Sequence, residues 1–281
     1  MAHPIISAED TMALLDDQRL VLLDVRWRLG QTDGHEQYLA EHLPGAVFVD
    51  LDTQLAAPPE PALGRHPLPS ALDFAAVVAS WGVTPESVVV IYDDWKSLAA
   101  ARAWWLLDAA GHPDVRVLDG GIRAWRRAGF ATETGEATAT PAEPWVTGFG
   151  DRVLDADAAW SLAQSENGVL LDARASERYN GSTEPIDPRA GHIPGARNAP
   201  TTDNVDADGL FLDPAALRER FDGIGATSVG ELGVYCGSGV TASHELLALR
   251  LAGIDAALYA GSWSQWSSLP ERPIAIGDSP S

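Results

Sequence analysis

A single cysteine, Cys236, serves the whole 281-residue chain. That excludes an intrachain disulfide and any zinc site built on several cysteines. A lone thiol meant to react is expected in a reducing compartment, by default the cytoplasm. Basic residues are scarce as well: 19 Lys and Arg stand against 40 Asp and Glu, a formal net charge of −21. So acidic a chain is not expected to bind nucleic acid or an anionic membrane surface. No apolar run approaches the ~20 residues that span a bilayer. The first residues, Met1-Ala2-His3-Pro4, lack the basic-then-apolar order of a signal peptide. No motif implies a metal or an organic cofactor.

The one cysteine stands in an unusual setting. Before it runs Leu232-Gly233-Val234-Tyr235, which reads as a short buried strand; after it, Thr241 to Leu251 reads as a helix with apolar residues at Leu246, Leu247, Leu249 and Leu251. Between them, Gly237-Ser238-Gly239-Val240 can curl so that successive N–H groups share one concavity, to which the helix N-terminus adds its positive end. A thiol there is expected to ionise readily and to act as a nucleophile, although a lone cysteine elsewhere is most often a small buried hydrophobe.

A repeat runs through the chain. Ser7 reads as a helix N-cap 17 positions before Asp24, and Asp155 reads as one 17 positions before Asp172. His42-Leu43-Pro44-Gly45-Ala46 mirrors His192-Ile193-Pro194-Gly195-Ala196, and Val90-Ile91-Tyr92-Asp93 mirrors Gly233-Val234-Tyr235-Cys236. Gly121 and Trp125 match Ser262 and Trp266, both four apart. Strands alternating with helical stretches predict an α/β fold of two tandem domains, each a largely parallel central sheet flanked by helices. The expected boundaries are residues 1–135, a Thr/Glu/Ala/Pro/Gly-rich linker at 136–150, and 151–281. Asp93 stands where Cys236 stands, so the first copy is expected to be catalytically inactive. Asp24, Arg26, His42, Asp172, Arg174 and His192 recur in both copies, which favours structural roles.

On these paired segments, the Val-Tyr-Cys-Gly-Ser-Gly-Val-Thr loop and the inactive first copy, the chain resembles the tandem-domain rhodanese sulfurtransferases over essentially its whole length. Within that family, Cys-Gly-Ser-Gly-Val-Thr looks like the loop of 3-mercaptopyruvate sulfurtransferases. The loop of thiosulfate-preferring members tends to carry bulky basic residues. The resemblance implies sulfur transfer from 3-mercaptopyruvate through a Cys236 persulfide, releasing pyruvate. The acceptor would be a thiol or cyanide, with thioredoxin, small thiols and a partner protein all open. It implies substrate contacts from Arg178, Arg189, Gly237, Gly239, Val240 and Thr241. It also implies a proton relay of Ser238, His66 and Asp52.

Blander readings stand beside these. Arg178 can be a solvated helix residue and Arg189 a surface charge. Ser238 can simply fill the loop, His66 can be an ordinary loop histidine, and Asp52 a helix cap. Thiosulfate is the alternative donor, and a non-catalytic binding module the alternative for the whole chain. A cysteine phosphatase is disfavoured because Ala242 occupies the position, six after the cysteine, where such enzymes need arginine. His244, about two helical turns from Cys236, is not placed as the base of a cysteine hydrolase.

Overall fold

A computed structural model of the chain describes residues 3–280. Met1 and Ala2, part of the stretch read for a signal peptide, lie outside the described residues. The strands are β1 (Ile5–Ile6), β2 (Leu20–Asp24), β3 (Val47–Phe48), β4 (Val88–Tyr92) and β5 (Val115–Leu118), then β6 (Val153–Leu154), β7 (Gly168–Asp172), β8 (Arg197–Asn198), β9 (Glu231–Tyr235) and β10 (Ala257–Tyr259). They form two all-parallel five-stranded sheets, ordered β1-β5-β4-β2-β3 and β6-β10-β9-β7-β8. The second order is the first repeated, as expected for an α/β fold duplicated in tandem.

The sequence accounts for which strands are central. Val88–Tyr92 is buried at every residue, as a strand covered by helices on both faces must be. Leu232–Tyr235 is likewise buried. The edge strands β3 and β8 are two residues long, which leaves little free edge to pair with another chain. The residues that recur in both copies brace these sheets. Arg26 pairs with Asp24 at 2.7 Å and donates to the Glu41 carbonyl at 3.0 Å. Arg174 pairs with Asp172 at 2.6 Å and donates to the Gly191 carbonyl at 2.7 Å. His42 and His192 stack on Tyr38 and Tyr179, with ring centroids 4.3 and 3.8 Å apart. These contacts tie each His-x-Pro-Gly-Ala segment to the end of its neighbouring strand.

The chain separates into two compact units. The first holds residues up to Ala57, Pro69–Gly150 and Ala207–Phe211; the second holds Pro58–Leu68, Asp151–Asp206 and the chain from Leu212 onward. Each unit thus takes up a short segment from the other half of the sequence. Residues 136–150, expected as a linker, pack with the first unit: Ala142 N–H donates to the Ala79 carbonyl and Trp145 Nε1 to that of Val83. Among the described residues, no helix is long and apolar enough to cross a membrane.

Candidate active site

Cys236 follows β9, a central strand of the second sheet, and is almost fully buried. The helix Val240–Leu251 begins four residues later. Gly239 stands at its N-cap with φ +79°, and its N–H donates to Cys236 Sγ at 3.2 Å. No other residue fits there easily, because a Cβ on Gly239 would stand 2.6 Å from the Ala260 carbonyl oxygen. The loop is held from behind. Trp263 N–H donates to the Cys236 carbonyl at 3.0 Å, Ser264 N–H to the Gly237 carbonyl at 2.9 Å, and Cys236 N–H to Ser262 Oγ at 3.2 Å. Gly237 and Val240 are buried and Thr241 half-buried.

Ser238 is buried, and His66 Nδ1 lies 2.7 Å from its Oγ. His66 reaches it because segment 58–68 belongs to the second unit. Gly64, at φ +96°, lets that segment press against the Gly261 carbonyl, and Gln265 Nε2 donates to the Ala62 carbonyl at 2.6 Å. Asp52 belongs to the first unit, in the first turn of helix Leu51–Gln54. Its N–H is capped by Asp50 at 3.0 Å, and its carboxylate accepts Trp27 Nε1 at 3.0 Å.

Three arginines divide their hydrogen bonds differently. Arg189, read as a substrate contact, donates to four backbone carbonyls: Ser267 at 2.8 Å, Trp266 at 2.9 Å, Arg272 at 3.0 Å and Leu269 at 2.5 Å. Its guanidinium thereby caps the end of helix Ser262–Trp266, the helix whose start braces the cysteine loop. Arg178 Nη2 donates to Glu184 at 2.7 Å and to Asp187 at 3.0 Å. Arg65, directly before His66, pairs through Nη1 with the other oxygen of Asp187. One further nitrogen of each stands beside the loop: a Cβ on Gly237 would stand 3.2 Å from Arg65 Nη2 and 3.4 Å from Arg178 Nη1. Two forked cations beside a buried thiol are chemically suited to hold a small anion, and the fork favours carboxylate. Arg65 was missed in the sequence, although its adjacency to His66 was the available signal.

The first unit carries the counterpart of this loop. Asp93 is fully buried, and its carboxylate accepts four backbone N–H groups: Trp95 at 2.7 Å, Ser97 at 2.9 Å, Ala99 at 2.8 Å and Ala100 at 2.9 Å. Ile122 N–H donates to the Asp93 carbonyl at 3.0 Å, as Trp263 does to that of Cys236.

The model of the Rhodanese-like domain matches residues 7–128 and again 155–269. The chain therefore belongs to the rhodanese family, with two domains in tandem. It is a sulfurtransferase of that family. A Pseudomonas aeruginosa protein named as a 3-mercaptopyruvate sulfurtransferase is 47% identical over 281 residues, 98% of each chain. A Mycobacterium tuberculosis protein, SseB, named as a thiosulfate sulfurtransferase, is also 47% identical, over 91% of this chain and 90% of its own. The solved 3-mercaptopyruvate sulfurtransferase from Leishmania major superposes with a TM-score of 0.83 at 28% identity, covering 98% of this chain and 77% of that one. Two relatives of equal identity carry different donor names, so likeness alone does not choose the donor.

Proposed function

We propose that this sulfurtransferase takes sulfur from 3-mercaptopyruvate. The Cys236 thiolate attacks the donor's sulfur, forming an S–S bond as the C–S bond breaks. The bonding pair leaves with carbon as pyruvate enolate. The donor's thiol proton passes to that carbon, giving pyruvate and an anionic Cys236 persulfide. An acceptor thiolate or cyanide then attacks the outer sulfur and returns Cys236 as thiolate. Loop N–H groups and the helix N-terminus stabilise the negative sulfur at each stage. The Ser238–His66 hydrogen bond supports a role for that pair in moving the proton. The first unit, lacking a thiol, does no such chemistry.

One observation carries the donor choice: Arg178 Nη1 and Arg65 Nη2, left unspent by Glu184 and Asp187, flank Gly237, next to Cys236. Mercaptopyruvate has a carboxylate to place there, and Arg178 and Arg65 are assigned to it. The loop residues Gly237, Gly239, Val240 and Thr241 shape the space around the sulfur. Arg189 supports the site from the end of helix Ser262–Trp266. The second reading, thiosulfate as donor, rests on the name of the M. tuberculosis relative. Mass spectrometry after incubation with each donor tests the proposal. One sulfur is expected on Cys236, at lower concentrations of mercaptopyruvate than of thiosulfate; equal or reversed preference removes the donor assignment.

A further inference from the structure

Arg65 and Arg178 do not meet an incoming donor as free cations. The Asp187 carboxylate, buried apart from a few per cent of its side chain, joins them, one oxygen to each guanidinium. Glu184, equally buried, takes the same Nη2 of Arg178 and also contacts Arg174 at 3.3 Å. Arg174 is in turn paired with Asp172. Three guanidinium groups thus stand against three carboxylates, and the cluster carries little net charge. What survives is directional: Arg65 Nη2 and Arg178 Nη1 aimed at the loop beside Cys236. A cleft of about 280 Å³ is walled in part by Pro59, Ile186, Ser264, Arg65 and Asp187.

We propose that Asp187 sets the charge class of the donor. By bridging Arg65 and Arg178 it cancels their excess positive charge while holding two N–H groups in place for one carboxylate. The site therefore takes a monoanionic donor and discriminates against a dianion such as thiosulfate. This rests on the reading of Arg65 and Arg178 as the donor's anion site. Asp187 acts through the two arginines and is a positioning residue.

The test compares Asp187→Asn and Asp187→Glu with the parent enzyme, measuring kcat/KM for both donors and sulfur on Cys236 by mass spectrometry. Asparagine keeps the volume and removes one negative charge. The thiosulfate to mercaptopyruvate ratio of kcat/KM is expected to rise roughly tenfold or more in Asp187→Asn. It is expected to stay near the parent value in Asp187→Glu. A merely structural role would lower both donors in parallel and leave the ratio unchanged, and that result overturns the inference while leaving the function standing. A parent enzyme that takes no sulfur on Cys236 from mercaptopyruvate overturns both. Should Asp187→Asn fail to fold, the salt dependence of the parent enzyme decides. Thiosulfate loading is expected to be flat or to rise with ionic strength, as for a dianion meeting no net positive charge on an acidic protein. A steep fall overturns the inference.

Discussion

Arg65, Arg178 and Arg189 carry the same five donors each, and what each does depends on how many are already taken. Arg189 is occupied by carbonyls on every nitrogen. Arg189→Ala is expected to cost about 2–4 kcal/mol of stability, since several buried carbonyls lose a charged donor. A denaturant midpoint reads that loss, and the donor preference should not change. Arg178→Ala and Arg65→Ala should instead raise KM for mercaptopyruvate by about 10–100-fold, the worth of one charged hydrogen bond. A donor without a carboxylate should be affected far less; parallel losses would remove their assignment to the carboxylate. Burial pushes the Asp187 carboxyl above the usual aspartate range, while Arg65 and then Arg178 pull it back. The groups facing it are Arg65, Arg178 and Glu184. Below its pKa it is neutral and the cluster gains one positive charge. The thiosulfate to mercaptopyruvate ratio should therefore rise as pH falls, since whatever both donors use alike cancels in the ratio. A ratio that is level with pH, or falls toward acid, would contradict this.

At the scale of elements, much was legible because periodicity and spacing are local. The buried strands before Asp93 and Cys236, the glycine turn into helix Val240–Leu251 and the repeated His-x-Pro-Gly-Ala segments are written in runs of a few residues. What local pattern does not report is contact across the sequence. The pairing of His66 with Ser238, 172 positions away, was expected from the family resemblance alone, and that of Arg65 with Asp187, 122 positions away, from nothing. No spacing rule reports such meetings. Arg189 failed to stand out as a brace for a related reason: carbonyls have no sequence signature. Helix Val240–Leu251 holds another case. Its leucines marked an apolar face, yet His244 and Glu245 are buried as well, bonded to Thr201 at 2.7 Å and Asn204 at 2.6 Å. The Gly239 turn is the most exposed to mutation. Gly239→Ala combines an unfavourable positive φ with a clash on Ala260, and should cost about 2 kcal/mol or more. Thermal unfolding would measure it, with sulfur loading of Cys236 falling in step. Asp93→Ala, which strands four N–H groups, three of them buried, should cost about 3 kcal/mol or more by the same measurement.

Across the whole molecule, the exchange of segments matters more than the duplication. The second unit is completed by Pro58–Leu68, which brings Arg65 and His66. A fragment starting at Asp151 keeps Cys236 and loses both. Its turnover is expected to fall by about 100-fold or more, as for loss of a positioned proton-transfer group and an anion clamp together. Steady-state assay of the fragment, with and without residues 58–68 appended through a flexible linker, checks this; full turnover by the bare fragment would refute it.

The Asp93 cage says something about the other loop. Beyond Cβ an aspartate reaches two bonds further to an acceptor oxygen, and a cysteine carrying an extra sulfur reaches two bonds further to that sulfur. The first half of the chain thus holds a covalently supplied stand-in for the persulfide proposed at Cys236. Four inward N–H groups are the solvation such an anion receives when the backbone is free to close around it. The cycle proposed for Cys236 makes and unmakes that state, which its silent twin keeps fixed.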